Sequence, residues 1–225
     1  MRLLLRWLLR AGCLMVVWSA AAAPAAETTL LFEPSEIGAI GPEPADGVSV
    51  AGVSFGFTEG GGSSTAAQYG ASGPGALTFI DGDVLAGPAG GTLTLSFATP
   101  TVTLEFGLAL NTIGTVSPGF SVELFDAGLI SLGTTDVDTL SLIGFSEGLF
   151  SHSGTAVKQA VVTFNTTFPQ IGGNREFALD NLTFEVPDPP PFSVPVPTLG
   201  PGGGLALVLL LVALGSVALR RSALA

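Results

Sequence analysis

The chain has 225 residues, 47% hydrophobic and 11% charged, with a formal net charge of −11; it is too apolar to stay disordered. All 18 acidic residues fall between Glu27 and Asp188, against Lys158 and Arg175 alone in that stretch, which leaves it 16 net negative charges. Such a surface repels a phosphate backbone and excludes nucleic acid as a partner.

In chain order, residues 1–26 read as a signal peptide. Arg2, Arg6 and Arg10 form a positive flank, Ala11 to Trp18 an apolar core, and Ser19 to Ala26 a run of small residues. Ala23-Pro24-Ala25 fits the small-x-small cleavage pattern, with cleavage between Ala25 and Ala26. The alternative is an uncleaved anchor. Cys13, the chain's single cysteine, belongs to this segment, so the exported part carries no intrachain disulfide.

From residue 27 to 186 the dominant period is two, the signature of antiparallel strands with one wet face. Candidate strands are Val48 to Val50, Val53 to Phe57, Ala76 to Ile80, Thr92 to Phe97 and Thr101 to Phe106, then Phe120 to Phe125, Leu140 to Ile143, Val157 to Phe164, Glu176 to Leu179 and Leu182 to Val186. Gly, Pro, Asn and Asp clusters separate them. About ten short strands with 15 Phe across the chain predict an all-β fold, a single antiparallel β-sandwich of the jelly-roll kind. Gly60 to Ser64 reads as a loop, Asp81-Gly82-Asp83 as a turn, and Asp136-Val137-Asp138 as an exposed strand edge.

Little in this region points to catalysis. His152, the one histidine, sits in a loop-like Phe150-Ser151-His152-Ser153-Gly154 without a serine elbow or an evident orienting carboxylate. Glycoside cleavage needs two converging carboxyls and aromatic support for the sugar. Past the signal peptide there is one tyrosine, Tyr69, and no tryptophan. That deficit also weighs against a sugar-binding platform, and most phenylalanines take inward strand positions.

After the sandwich, residues 187–201 form a proline-rich linker and 202–221 an apolar segment ending in Arg220 and Arg221; 222–225 remain as a short tail. Leu205 to Leu219 carries no charge and spans about 22 Å as a helix. Residues back to Thr198 extend it to a crossing of the ~30 Å hydrocarbon core. Arg220 and Arg221 then stop it on the cytoplasmic side, which puts the acidic domain on the outer side.

Motif, apolar helix and terminal arginines together resemble the PEP-CTERM class of bacterial sorting signals. Val196-Pro197-Thr198-Leu199 is most similar to the IPTL-CTERM variant, with a departure after Leu199, where Gly200-Pro201-Gly202-Gly203 follows. The resemblance implies an exosortase-type protease as partner, membrane anchoring before cleavage, and delivery to the outer envelope, cell surface or extracellular matrix. The opening Leu31-Phe32-Glu33 and closing Phe177 to Phe184 are similar to jelly-roll carbohydrate-binding modules. In those modules an early acidic residue and a late aspartate share a structural calcium, which implies Glu33 and Asp180 here. On the residues themselves, Glu33 as a surface carboxylate and Asp180 as a turn cap stay open. The reading is a non-enzymatic exported surface or matrix protein, with a carbohydrate-binding module for envelope or matrix polysaccharide as its alternative.

Overall fold

The computed structural model describes residues 26–142, 144–169 and 175–186. Most of the signal segment with Ala25, the linker, the motif Val196 to Leu199, the apolar stretch and Arg220 and Arg221 lie outside the described residues; Ala26 lies within them. Among the described residues no helix is long and apolar enough to cross a membrane. Their helical content is one 3-10 turn, Pro34–Ile37.

The strands all pair antiparallel. In chain order the strands are β1 (Ala26–Leu30), β2 (Glu43–Pro44), β3 (Ser49–Val50), β4 (Val53–Glu59), β5 (Gly62–Ser63), β6 (Gln68–Ser72), β7 (Asp83–Pro88), β8 (Thr92–Leu110), β9 (Val116–Phe125), β10 (Ser131–Ser141), β11 (Ser146–Phe164) and β12 (Glu176–Val186). The hydrogen-bonded order is β10-β9-β11-β8-β12-β7-β6-β2, with β4 on β8 and β1 on β12. Gly60 and Gly61, both at positive φ, close the tight turn between β4 and β5 where a loop is expected.

Three long strands turn this network into two facing halves. In β8 the large side chains turned into the core are Leu93, Leu95 and Phe97, then Leu104, Phe106 and Leu108. Inward positions switch from odd to even across residues 98–101, so the strand must kink there. The expected strands 92–97 and 101–106 are therefore one strand rounding a corner. β12 switches likewise, from Phe177 and Leu179 to Leu182 and Phe184, at a register shift beside Asn181, whose φ is 54°. β11 shifts register between Ser153 and Val157.

The first half comprises β4, the start of β8, the end of β11, β9 and β10; the second comprises the start of β11, the end of β8, β12, β7, β6 and β1. Aromatic contacts join them across the core. Phe57 of β4 meets Phe177 of β12 at 5.9 Å, and Phe55 meets Tyr69 of β6 at 5.6 Å. Phe106 meets Phe120 of β9 at 6.2 Å. This is a sandwich made from one continuous hydrogen-bonded sheet, with rings filling the space between its halves.

Ala76 to Ile80, expected as a strand, is not one. Its Thr78 and Phe79 amides donate to the Glu147 carboxylate instead of a neighbouring strand, because this segment crosses the outside of the second half rather than joining it.

Candidate functional site

Residues 73–82, between β6 and β7, form a strap over the outer face of the second half. Its base closes through Gly73 N–H to Gly82 O at 3.1 Å, and its tip through Leu77 N–H to Ile80 O at 2.8 Å. Glu147, on β11 and 3% exposed, accepts Thr78 N–H at 2.9 and 3.1 Å and Phe79 N–H at 3.0 Å. Asp180, on β12 and fully buried, accepts Asp81 N–H at 2.9 Å and Asn181 N–H at 2.7 Å. The Asn181 amide donates to Phe79 O at 2.9 Å. Beneath the strap lies Gly107, where a Cβ would stand 2.3 Å from Phe79 O; this position needs glycine for the backbone to pass so close. Ile80 and Val84 pack there against Ala109 and Ala178, with Leu77 and Phe145 alongside.

Burial pushes the Asp180 carboxyl above the ordinary carboxylate value. Its two N–H donors partly offset this, while the charges of Asp81 and Glu36 add to it. Burial, and then the hydrogen bond to Glu36 and its charge, hold the Tyr69 phenol well above the ordinary tyrosine value. Tyr69 is fully buried and donates to Glu36 Oε2 at 2.5 Å, so it serves the core and not a ligand platform.

The strap divides the outer face of the second half. On one side the register aligns Ala86 of β7, Ala178 of β12 and Ala109 of β8 in one cross-strand row, flanked by Gln68 of β6 and Glu147 of β11. Three methyl groups in a row leave a depression. Two adjoining cavities of about 160 and about 400 Å³ occupy it, sharing Ser72, Ala86 and Glu176 in their walls. Phe145 and Pro74 wall one end, while exposed Gln68, Ser72 and Glu176 supply polar groups at the rim. Asn111 closes the far wall, its side-chain oxygen accepting Glu176 N–H at 3.2 Å.

On the other side the rows read Ser151, Glu105, Thr183, Thr29 and Ser153, Thr103, Glu185, Glu27. All of these but Thr29 line a shallow trough of about 220 Å³. Thr29 and Thr183 hydroxyls meet at 2.9 Å, and Glu27 stands directly opposite Glu185.

Of the expected site residues, Glu33 precedes the 3-10 turn and Asp180 lies on β12. Glu33 is exposed. Its segment reaches inward through Glu36, which accepts Leu31 N–H at 3.1 Å as well as the Tyr69 hydroxyl. The acidic neighbours acting on Asp180 are Asp81 and Glu36. Among the described residues no group of three or more His, Cys, Asp or Glu is placed to hold a metal ion. His152 lies within β11 and not in a loop; its Nε2 stands 3.0 Å from Thr155 O. The alanine row escaped the sequence reading. Ala86, Ala109 and Ala178 are far apart in the chain, and no local pattern marks them.

No family model and no curated protein matches the chain. Among solved structures it is similar to a family 29 carbohydrate-binding module, at 8% identity and a TM-score of 0.36, over 72% of this chain and 90% of that one. A point mutant of the module CBM29-2 gives 7% and 0.37, over 72% and 92%. The CBM22-1 xylan-binding domain of Paenibacillus barcinonensis Xyn10C gives 13% and 0.36, over 74% and 98%. Likeness at these TM-scores decides nothing about ligand.

Proposed function

We propose that the chain is a non-catalytic exported module of jelly-roll type that holds polysaccharide of the envelope or matrix in the alanine-floored groove. The observation that carries this reading is the row Ala86, Ala178, Ala109 with exposed Gln68, Ser72 and Glu176 around it. A sugar ring offers apolar C–H faces and a rim of hydroxyls. The part-exposed Ala86 and Phe145, above the buried Ala109 and Ala178 and with polar groups around them, suit both. Glu176 would accept from hydroxyls, and Gln68 would both donate and accept. Phe145 gives one aromatic wall where tyrosine and tryptophan are lacking.

In this reading the signal segment and the tail supply the address. Export removes residues up to Ala25. The motif Val196 to Leu199 and the arginine stop then present the tail to an exosortase-type protease. Mass spectrometry of the mature C-terminus tests this: peptides beyond Leu199 recovered intact from the surface fraction would sink it.

Glycan arrays and titration of the full-length chain with soluble oligosaccharides test the binding. Binding at millimolar sugar or tighter is expected, weakened at least tenfold by Ala86→Leu, which fills the groove, and by Glu176→Ala. Absence of binding at millimolar sugar would leave the second reading, a structural surface or matrix domain without a sugar ligand. That reading is favoured by the burial of Tyr69 within the core.

A further inference from the structure

The first half of the sandwich ends in a free edge. β10 pairs with β9 on one side, in regular register from Gly133 opposite Leu124 to Val137 opposite Phe120. Its other side pairs with no strand over residues 131–136 among the described residues; beyond that β11 covers it, Gly148 packing against the Asp138 carbonyl before Leu140 and Ser141 pair with Glu147 and Ser146. Register shifts bracket the regular stretch at both ends, with Gly133 at a φ of 116°.

Long edges invite pairing with another strand, and proteins guard them with charge, proline or bulges. This edge has the bulges and two aspartates. Val137 turns inward against the core, so Asp136 and Asp138 stand together on the outer face, both exposed. Each is fixed from the neighbouring strand. The Ser121 hydroxyl donates to Asp136 at 2.5 Å, and the Ser117 hydroxyl to Asp138 at 2.6 Å. Glu123 joins them on β9, accepting from Ser131 at 2.7 Å.

These charges select among occupants. A second copy, itself strongly acidic, would bring carboxylates against carboxylates in a self-complementary edge-to-edge pair. An added strand with Lys or Arg at alternate positions would instead place its cations on the face of Asp136 and Asp138. The period of two along a strand fixes that match. Beyond the aspartates the hairpin tip exposes Leu129, Ile130 and Leu132, at 59%, 67% and 39%. They offer contact to an apolar residue of the same partner segment.

We propose that the free edge of β10 docks an extended basic segment of a partner protein, added as a further strand with alternating cations facing Asp136 and Asp138. The binding would be strand addition, with main-chain hydrogen bonds for affinity and alternate side chains for choice.

The test uses the full-length chain and three labelled peptides. One alternates Lys with Val and Thr, one has Glu in place of Lys, and one keeps every Lys but replaces the residues between with Pro. Fluorescence anisotropy should show the first binding at least tenfold more tightly than either control, and more weakly as salt rises. Amide hydrogen exchange should slow at residues 133–137 when it is bound. The double variant Asp136→Asn and Asp138→Asn, at exposed positions, should lose at least tenfold in affinity with an unchanged melting temperature. Equal binding of the proline peptide, or no slowing at 133–137, would overturn the proposal by reducing it to diffuse charge attraction. Self-association of the chain through residues 133–137 would overturn it as well.

Discussion

On one side of the strap the second half of the sandwich shows a row of alanines; on the other it shows rows of glutamate, serine and threonine. Both run across β8 and β12, on the same side of the sheet. The difference arises from what covers them. Next to the strap, Leu77, Ile80 and Phe145 pack with Ala109, Ala178 and Val84, which are buried, and only Ala86 of the row stays part-exposed. Beyond it nothing among the described residues lies over Glu27, Glu105 and Glu185, and charge is tolerated because water solvates it. The strap also explains why two acidic side chains can be buried between these regions. Glu147 and Asp180 stand where ladder partners are missing for the strap amides, and each carboxylate fills that need.

Removing the strap's anchors should break the contrast most severely. Glu147→Ala strands Thr78 and Phe79 N–H groups and should destabilise the fold by about 4 kcal/mol in urea melts. Gly107→Ala drives a methyl into the Phe79 carbonyl and should lose about 2 kcal/mol. Both should raise hydrogen exchange across residues 74–81 and over the alanine row, and leave exchange on β10 near its starting value. If exchange on the alanine row stayed unchanged in both variants, the strap would not be what shelters it.

Asp180 sharpens the contrast through pH. Its folded-state value lies above the ordinary one, so the native chain holds a proton longer than the unfolded chain does. Its contribution to stability is therefore greatest below the ordinary carboxylate value, and falls as pH rises through the folded value. Asp180→Asn should flatten that part of the stability profile, with a change at neutral pH of about 1 kcal/mol. The same melts test calcium. A rise in melting temperature with calcium that vanishes in Asp180→Asn and in Glu33→Gln would support the shared site, and no rise would leave Asp180 as a strap anchor alone.

The smallest effect is expected in the trough. Glu185→Gln relieves the repulsion from Glu27 directly opposite. It should stabilise by no more than about 0.5 kcal/mol, less at high salt. A loss above roughly 1 kcal/mol would show these glutamates to be structural, and the two regions to be less different than they look.

Much of the fold was legible because its signal is local. Alternation at Leu93, Leu95 and Phe97, or at Leu182 and Phe184, marks strands with one buried face, and the turn at Asp81 to Asp83 and the edge at Asp136 to Asp138 stand where expected. Ala76 to Ile80 misled because an apolar run looks the same under a strap as within a sheet. His152 misled because a serine- and glycine-rich stretch can still pair as a strand. The contact of Glu36 with Tyr69, made by way of the 3-10 turn, left no mark in the local pattern.

By itself, then, the sequence determined an acidic all-β domain with inward phenylalanines, since composition and a period of two are properties of neighbouring residues. Tertiary structure alone decided where β8 and β12 change phase, which amides the buried carboxylates satisfy, and that three distant alanines form one floor. Each depends on cross-strand register, and register is fixed by the packing of the whole sandwich rather than by any segment within it.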